Sequence, residues 1–289
     1  MAFVRNDGNP SVAMAATLFG SLFNIVFDYI LMFPLGLGMQ GAALATGCSP
    51  IVGILICCIH FKSSKCTITL KPVRLSVKRL LHSCHVGISS FVAELSSGVI
   101  TIVFNMIILN IAGNTGVAAY GVIANTSLVA VSLFNGISQG SQPLISDSYG
   151  KGDLKNVMYL IKLAAATSLF ISVLLITAVY LGAPSITAVF NSEKNPLLAQ
   201  YAISGLRIYF TGFLFAGINI VGSSILSSVE SAKSAFIVSI MRGFAAITFF
   251  AFLLSKIFGL TGIWSAFPAA ELLTMSVTVY GLFKIHRPA

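Results

Sequence analysis

The amino-acid sequence predicts an all-α membrane protein that crosses the bilayer eight times. Three observations predict this fold class: 56% of the 289 residues are hydrophobic, only 9% are charged, and long apolar runs separate the charges. A soluble chain carries about 25% charged residues, because polar groups must cover its surface. The runs are continuous and do not alternate with polar residues, which favours helices over the strands of a membrane barrel. The composition excludes nucleic-acid-binding modules, disordered chains and secreted disulfide scaffolds.

A membrane-spanning helix needs about 20 mostly apolar residues. No charged residue lies between Glu94 and Asp147 or between Lys162 and Glu193. Glycine and proline divide these and the other apolar runs into shorter pieces. The predicted spans are 12–33, 41–61, 86–111, 117–139, 156–181, 199–225, 235–257 and 263–283.

The basic residues predict the orientation of the chain. Alternate loops between the spans carry 12 Lys and Arg residues, whereas the opposite loops carry only Lys194. Cytoplasmic loops of membrane proteins are enriched in Lys and Arg. The sequence therefore predicts a multi-pass membrane protein with both termini in the cytoplasm. Topology accounts for the net charge of +9, and nucleic-acid binding is not expected.

An internal repeat predicts the organisation of the spans. Gly38–Ala45 and Gly259–Ala266 share the pattern G-x-x-G-x-x-x-A, 221 residues apart, and parallel repeats are common in transporters. If spans one and two correspond to spans seven and eight, the counterparts of spans three to six lie before residue 1. The predicted domains are a partial N-terminal lobe of two helices (1–61), a basic cytoplasmic linker (62–85) and a six-helix C-terminal lobe (86–289).

Polar residues recur on one face of several spans, and such faces point towards protein or water because polar groups are costly in lipid. Ser and Thr on these faces most often form hydrogen bonds between helices. Candidate substrate-cavity residues lie on the polar faces of spans three and four: Glu94, Asn105, Asn125 and Gln139.

Asp28 is the leading candidate for a cation or proton site, since a carboxylate in the membrane is expensive and helix packing does not require one. Asn24 lies one turn before it, so the two side chains share a helical face. A carboxylate and an amide at this spacing offer hard oxygen ligands to a cation, or a partner to a protonated acid. A structural Asp that pairs with an unidentified donor is the alternative.

Three further charged residues of the spans are substrate-cavity candidates with open roles. Glu94 is a substrate counter-charge, a second proton site or the partner of Arg207. Arg207 itself is a paired residue of the bundle or a cation that reaches towards the headgroups. Glu271, beside Pro268, is a third carboxylate of either kind.

The sequence predicts neither an enzyme nor a metal protein. Cys57-Cys58-Ile59-His60 and His82-Ser83-Cys84-His85 flank the basic stretch, but their spacing fits no standard zinc pattern. The chain contains no P-loop and no H-E-x-x-H motif. We expect no cofactor beyond a coupling H⁺ or Na⁺, and we interpret the five cysteines as reduced thiols.

Several motifs resemble the MATE (multidrug and toxic compound extrusion) family of transporters. Arg5–Pro10 (RNDGNP), Asn24–Tyr29 (NIVFDY) and Gly41–Thr46 (GAALAT) are similar to the fourth-to-sixth helix region of the family. Gln139–Ser146 (QGSQPLIS) is similar to the end of its eighth helix. Leu206–Phe210 (LRIYF) is similar to the tenth helix of the MepA-like bacterial branch. The resemblance runs over essentially the whole chain.

The resemblance implies a cation-coupled multidrug antiporter, whose two six-helix lobes surround a cavity that opens alternately to each side. In related members the ion site of the first lobe uses an Asp of helix one, an Asn and an Asp of helix five, and a Thr of helix six. Asn24 and Asp28 match the helix-five pair and Thr46 matches the helix-six Thr. The helix-one Asp has no counterpart in this sequence. The resemblance also implies amphipathic organic cations as substrates and the bacterial plasma (inner) membrane as the location.

Other function classes stay open at this point. A lipid-linked oligosaccharide flippase of related architecture needs a strongly cationic cavity, whereas the spans offer chiefly Arg207 and Lys162 against Asp28, Glu94 and Glu271. A non-transporting remnant or assembly partner of other membrane proteins is the second alternative, and an intramembrane enzyme is the third. The sequence does not decide between H⁺ and Na⁺ or whether chains associate with each other.

Overall fold

The computed structural model describes residues 1–63, 66–67 and 76–284, and every element within these ranges is helical. The α-helices of the described residues are α1 (Ala2–Asn6), α2 (Pro10–Met32), α3 (Gly38–Cys58), α4 (Val77–Gly150), α5 (Leu154–Phe190), α6 (Pro196–Tyr209), α7 (Phe213–Ser228), α8 (Ala232–Ile240) and α9 (Ala246–Lys284). A 3-10 turn follows α3 at Ile59–Lys62 and another follows α6 at Phe210–Gly212, while a π-helical turn at Met241–Ala245 connects α8 to α9.

The chain divides into two compact units, residues 1–75 and 76–289. In the first unit, α2 begins at Pro10, a favourable first position because the missing N–H would lack a helical partner in any case. A short turn through Gly36 and Gly38, both with positive φ, leads into α3, which packs along α2. Residues 64–65 and 68–75 of the predicted linker 62–85 lie outside the described ranges.

Small residues allow α2 and α3 to approach each other closely. A Cβ atom on Gly41 would lie 2.8 Å from the backbone of Leu31, and one on Gly53 would lie 3.3 Å from the carbonyl oxygen of Ala16. Ala16 and Ala45 are buried. Contacts of this kind are typical of helix pairs in membranes, where small residues let two backbones come together. The close packing determines which side chains of the two helices meet.

Glycines break the two longest helices of the second unit. In α4, Gly113 has φ 62° and ψ −160°, and in α9, Gly259 has φ 58° and ψ −130°. Glycine adopts this region readily because it has no Cβ atom. Gly113 separates the predicted spans 86–111 and 117–139, and Gly259 separates the last two predicted spans. Each break therefore divides an apolar run where the sequence predicts two spans.

The core of the second unit contains aromatic side chains from α6, α7 and α9 that pack against one another. The rings of Tyr209 and Phe267 lie 4.2 Å apart between centroids, and those of Phe213 and Phe267 lie 5.2 Å apart. Trp264 is 1% exposed and faces Gly205, on which a Cβ atom would lie 3.1 Å from the indole ring. Glycine at this position makes room for the largest side chain of the core.

Several described segments are long and apolar enough to cross a membrane, judged by length and composition. In five of them only 17–33% of the most apolar stretch is buried inside the protein, so most of the apolar side chains are available to contact lipid. The all-helical prediction is confirmed. The number of eight crossings stays a prediction, because two of the six segments each contain two predicted spans. The segments are Pro10–Met32, Gly38–Lys62, Glu94–Gly150, Leu154–Phe190, Pro196–Ser228 and Ala232–Lys284.

Candidate functional site

The first candidate site comprises Asn24 and Asp28 on α2 and Thr46 on α3, and we call it the Asp28 site. Residues four apart on a helix lie one above the other, so α2 presents the amide and the carboxylate on one face. The amide nitrogen of Asn24 donates to Oγ1 of Thr46, 3.3 Å away. The close approach of α2 and α3 therefore brings Asn24 and Thr46 into contact.

The carboxylate of Asp28 is incompletely satisfied. Its Oδ1 atom is buried, and no hydrogen-bond partner for it exists among the described residues. A buried polar atom without a partner costs about 1–3 kcal/mol, and more when the group is charged. A bound proton or cation at Asp28 removes that cost. This unsatisfied oxygen is the feature of the first unit that points most directly to a bound ion.

The second candidate site lies in the core of the second unit and comprises Asn219, Arg242, Glu271 and Thr278. We call it the Glu271 network. Nε of Arg242 lies 2.6 Å from Oε1 of Glu271, and Nδ2 of Asn219 donates to Oε2 over 2.7 Å. The hydroxyl of Thr278 donates to Oδ1 of Asn219 over 2.8 Å. Both oxygens of this carboxylate are therefore paired, and one partner is a cation.

The local backbone explains how the ion pair is formed. Arg242 lies on the π-helical turn, which inserts an extra residue and changes the direction of the side chains that follow. The next residue, Gly243, leaves no space for a side chain, because a Cβ atom there would collide with Ser96 of α4. Glycine therefore permits α4 to pack against the turn that carries Arg242. Turns of this type occur frequently at functional sites.

Three of the four side chains of the Glu271 network are buried, and the fourth, Arg242, is partly exposed. The side chain of Glu271 is 3% exposed and that of Arg242 is 27% exposed, while Asn219 and Thr278 are fully buried. Loss of one partner of such an ion pair leaves an uncompensated buried charge and destabilises the fold. The arrangement is suited to holding a fixed charge pair between α7, the π-helical turn and α9.

The remaining predicted cavity residues are dispersed over the second unit. Glu94, Asn125 and Gln139 are exposed and Asn105 is partly buried. The guanidinium carbon of Arg207 lies 4.9 Å from the ring centroid of Tyr180, a favourable cation–π distance. No ion pair between Glu94 and Arg207 is present in the described part of the chain, so the suggested pairing of these two residues is not found.

Sequence reasoning missed most of the Glu271 network. It selected Glu271 but did not select Arg242, Asn219 or Thr278. A signal for Asn219 is nevertheless present, because this amide is isolated within the apolar run FLFAGINIVG. A strongly polar side chain in such a run needs a partner inside the protein. The identity of that partner, 52 residues later in the chain, is visible only in the fold.

Comparisons with curated proteins identify similar multidrug exporters. Over 268 residues the chain is 29% identical to multidrug export protein MepA of Staphylococcus saprophyticus, covering 91% of this chain and 58% of that protein. It is 26% identical over 279 residues to MepA of Staphylococcus aureus strain MSSA476, covering 95% of this chain and 60% of that protein. The chain thus spans about three fifths of the length of these relatives.

Comparisons with solved structures identify the same fold. A multidrug resistance MATE family transporter in an outward-facing conformation superposes with a TM-score of 0.89 at 22% identity, covering 96% of this chain and 63% of that one. A MOP superfamily transporter from Pyrococcus furiosus, for which a reversed polarity of the binding pocket is described, gives a TM-score of 0.89 at 23% identity, covering 96% and 63%.

The family model described as MatE matches residues 90–249. This range contains the π-helical turn and Asn219, and it covers more than half of the 289-residue chain. The match agrees with the resemblance of the sequence motifs, with the MepA relatives and with the shared fold. The chain therefore belongs to the MatE family.

Proposed function

We propose that this protein takes part in cation-coupled multidrug efflux across a bacterial plasma membrane, with Asp28 as the residue that binds the coupling H⁺ or Na⁺. The multidrug export names of the MepA relatives support the class of activity. The unsatisfied buried oxygen of Asp28 is the single observation that carries the assignment of the ion site. Transport of this kind is secondary active transport, so no chemical reaction is assigned to the protein.

The Asp28 site has the chemistry that such coupling needs. Because the nitrogen of the Asn24 amide donates to Thr46, the amide oxygen is the atom that remains to bind a cation beside the carboxylate. Carboxylate, amide and hydroxyl oxygens are hard ligands suited to Na⁺, and a carboxylate alone accepts H⁺. An ion that binds one conformation more tightly shifts the protein towards that conformation. Exchange of the external cation for an internal substrate then follows from alternating access.

The proposed topology has eight crossings, with both termini in the cytoplasm. α4 crosses twice, and so does the segment from α8 to the end of α9; the breaks at Gly113 and Gly259 lie between the crossings. This assignment keeps the predicted lobes, with two helices in residues 1–61 and six in residues 86–289. It is supported by segment length, because Glu94–Gly150 has 57 residues and Ala232–Lys284 has 53, far more than the 20 or so that one crossing requires.

The proposed substrates are amphipathic organic cations. Such molecules bind to carboxylates and aromatic rings, and Glu94 is an exposed carboxylate of the second unit. We assign Asn105, Asn125 and Gln139 to polar contacts with the substrate. Arg207, which stacks on Tyr180, is assigned a supporting role at the edge of the substrate path. Glu271 is assigned to holding the second unit together and not to substrate contact, because it is buried and paired.

The experiment is gradient-driven efflux of a fluorescent organic cation from vesicles that contain the protein, driven in separate runs by a proton gradient and by a Na⁺ gradient. Asp28→Asn keeps the shape and removes the charge, so we expect it to abolish coupled efflux. Asp147→Asn is the matched control, because Asp147 is an exposed carboxylate paired with Lys151, and we expect it to transport normally. Undiminished efflux by the Asp28→Asn protein would reject the assignment of the ion site, and absence of gradient-driven efflux in the unmodified protein would reject the function.

A further inference from the structure

Three metal-ligating side chains from distant parts of the sequence meet in the first unit. They are Asp7 in the turn before α2, His60 in the 3-10 turn after α3, and Cys66 in the segment that follows. Their ligand atoms all lie within 4.8 Å of one another. We call these three residues the Asp7 cluster. The cluster lies outside the apolar segment Pro10–Met32 and plays no part in the proposed ion site at Asp28.

The Asp7 cluster is well ordered by hydrogen bonds. Nε2 of His60 lies 2.7 Å from Oδ2 of Asp7, and the imidazole is 1% exposed. The backbone N–H of Thr67 donates to Oδ2 of Asp7 over 2.9 Å, and the Thr67 hydroxyl donates to Oδ1. The carboxylate is thereby aimed at the imidazole, while Thr67 itself is exposed. Within the cluster, His60 is buried, and Asp7 and Cys66 are partly exposed.

The chemistry of the three ligands selects one class of metal ion. Imidazole and thiolate are ligands for Zn²⁺ and similar transition metals, whereas Mg²⁺ and Ca²⁺ prefer oxygen atoms alone. A carboxylate is an accepted third ligand for Zn²⁺. Three protein ligands leave one coordination position for water. A set of one imidazole, one thiolate and one carboxylate therefore favours a zinc-like cation over the hard cations that transporters couple to.

The other ring nitrogen of His60 contacts Asn9. Nδ1 of His60 lies 3.2 Å from the amide nitrogen Nδ2 of Asn9. In metal sites the ring nitrogen that does not bind the metal usually donates to a carbonyl or carboxylate, which fixes the ring and its tautomer. The amide oxygen of Asn9 can accept that proton after rotation of the amide group. Asn9 therefore belongs to the outer part of the same site.

We propose that Asp7, His60 and Cys66 bind a zinc-like divalent cation that joins the turn before α2 to the segment after α3. On binding, the thiol proton of Cys66 passes to solvent and the His60 proton moves from Nε2 to Nδ1, so that each ligand atom presents a lone pair. Ligand atoms on one tetrahedral Zn²⁺ lie about 3.3–3.8 Å apart, given bond lengths of about 2.0–2.3 Å. Asp7 and His60, now 2.7 Å apart, therefore need to separate by only about 1 Å or less.

The fold, and not the local sequence pattern, creates this site. The sequence predicts no metal site because Cys57-Cys58-Ile59-His60 has no standard zinc spacing. His60 does take part in the cluster, but its partner Asp7 is 53 residues away. The side chains of His82 and His85, in the other histidine–cysteine motif, lie outside the described residues. A cation at the Asp7 cluster would close a long loop, so its binding energy would add to the stability of the folded first unit.

The test is Co²⁺ binding to the purified protein, prepared without a polyhistidine tag. Co²⁺ replaces Zn²⁺ in such sites and gives an absorption band when a thiolate binds it. We expect one Co²⁺ per chain with a thiolate band that Zn²⁺ abolishes by competition. Cys66→Ser should lose the band, while Cys58→Ser should keep it, because Cys58 is an exposed thiol of the same region outside the cluster. Asn9→Ala should weaken Co²⁺ binding about 10- to 100-fold.

Cys66→His separates loss of a ligand from loss of the fold. Histidine supplies a nitrogen ligand, so we expect this variant to bind Co²⁺ without the thiolate band. Absence of the band in the unmodified protein, its survival in Cys66→Ser, or its loss in Cys58→Ser would each overturn the proposal. None of these readouts depends on transport, so failure of the metal site leaves the proposed efflux function standing.

Discussion

Asp28 in the first unit and Glu271 in the second are both carboxylates in apolar helices, but their surroundings are opposite. Both oxygens of Glu271 have partners, one of them the cation of Arg242. Asp28 has a buried oxygen without a hydrogen-bond partner among the described residues. A carboxylate whose charge is already compensated has little to gain from another cation. The incompletely satisfied carboxylate of Asp28, and not the more deeply buried one of Glu271, is therefore the better candidate for the coupling ion.

The largest effect on stability is expected at the ion pair of Glu271 and Arg242. Arg242→Met leaves the buried charge of Glu271 without a cation, so we expect the free energy of unfolding to fall by about 3–5 kcal/mol. Denaturant titration of the protein in mixed micelles measures it. Adding Glu271→Gln removes the uncompensated charge and should restore most of the loss. The exposed ion pair offers the control, because Lys151→Met should cost less than about 1 kcal/mol.

If Arg242→Met and the double variant Arg242→Met/Glu271→Gln were equally stable, the cost would come from lost packing and not from an unpaired charge. That result would contradict the role given to the ion pair.

A smaller effect is expected where α2 and α3 meet. Gly41→Ala places a Cβ atom 2.8 Å from the backbone of Leu31, so the helices must separate. We expect a loss of about 1–3 kcal/mol in the same titration. Gly47→Ala on the same helix is the matched control, because a Cβ atom there meets nothing within 4 Å, and Ala is a better helix former than Gly. A Gly41→Ala protein as stable as the Gly47→Ala protein would show that the close approach is not required.

We expect Asp28→Asn to change the free energy of unfolding in the opposite direction to Arg242→Met. The substitution removes a buried charge that lacks a full set of partners, so we expect the unfolding free energy to stay the same or rise by about 1–3 kcal/mol. Denaturant titration of both variants under identical conditions gives the comparison. A loss as large as that caused by Arg242→Met would mean that Asp28 is a structural ion-pair partner.

The smallest effect is expected at Thr46. Thr46→Val removes one partly exposed hydrogen bond to Asn24, which is worth about 0.5–1.5 kcal/mol at most. We therefore expect nearly unchanged stability but weaker binding of the coupling cation, measured as a higher Na⁺ or H⁺ concentration for half-maximal efflux. An unchanged half-maximal concentration would exclude the Thr46 hydroxyl from the ion site.

The sequence allowed the all-helical fold and the face shared by Asn24 and Asp28 to be predicted, because apolar run length and helical spacing are local properties. The breaks at Gly113 and Gly259 also fall between predicted spans, as glycine punctuation indicates. Partners that are distant in sequence were not accessible in this way. The bonds of Glu271 to Arg242 and Asn219 span 29 and 52 residues, and they depend on how helices pack.

The contact of Thr46 with Asn24 could not be predicted from residue spacing alone. It was selected through the resemblance to a family, and nothing in its local pattern distinguishes it from other threonines of the spans. Its contact with Asn24 follows from the close packing of α2 on α3, which Gly41 and Gly53 permit. The same holds for the Asp7 cluster, whose ligands become neighbours only when the chain folds.

The most direct test of the central claim is to label the protein with a hydrophobic carbodiimide, which reacts with protonated carboxyl groups in apolar surroundings, and to locate the adduct by mass spectrometry. We expect an adduct on Asp28 and none on Glu271, because both oxygens of the Glu271 carboxylate are paired and one partner is Arg242. An adduct on Glu271 with none on Asp28 would contradict the assignment of the Asp28 site.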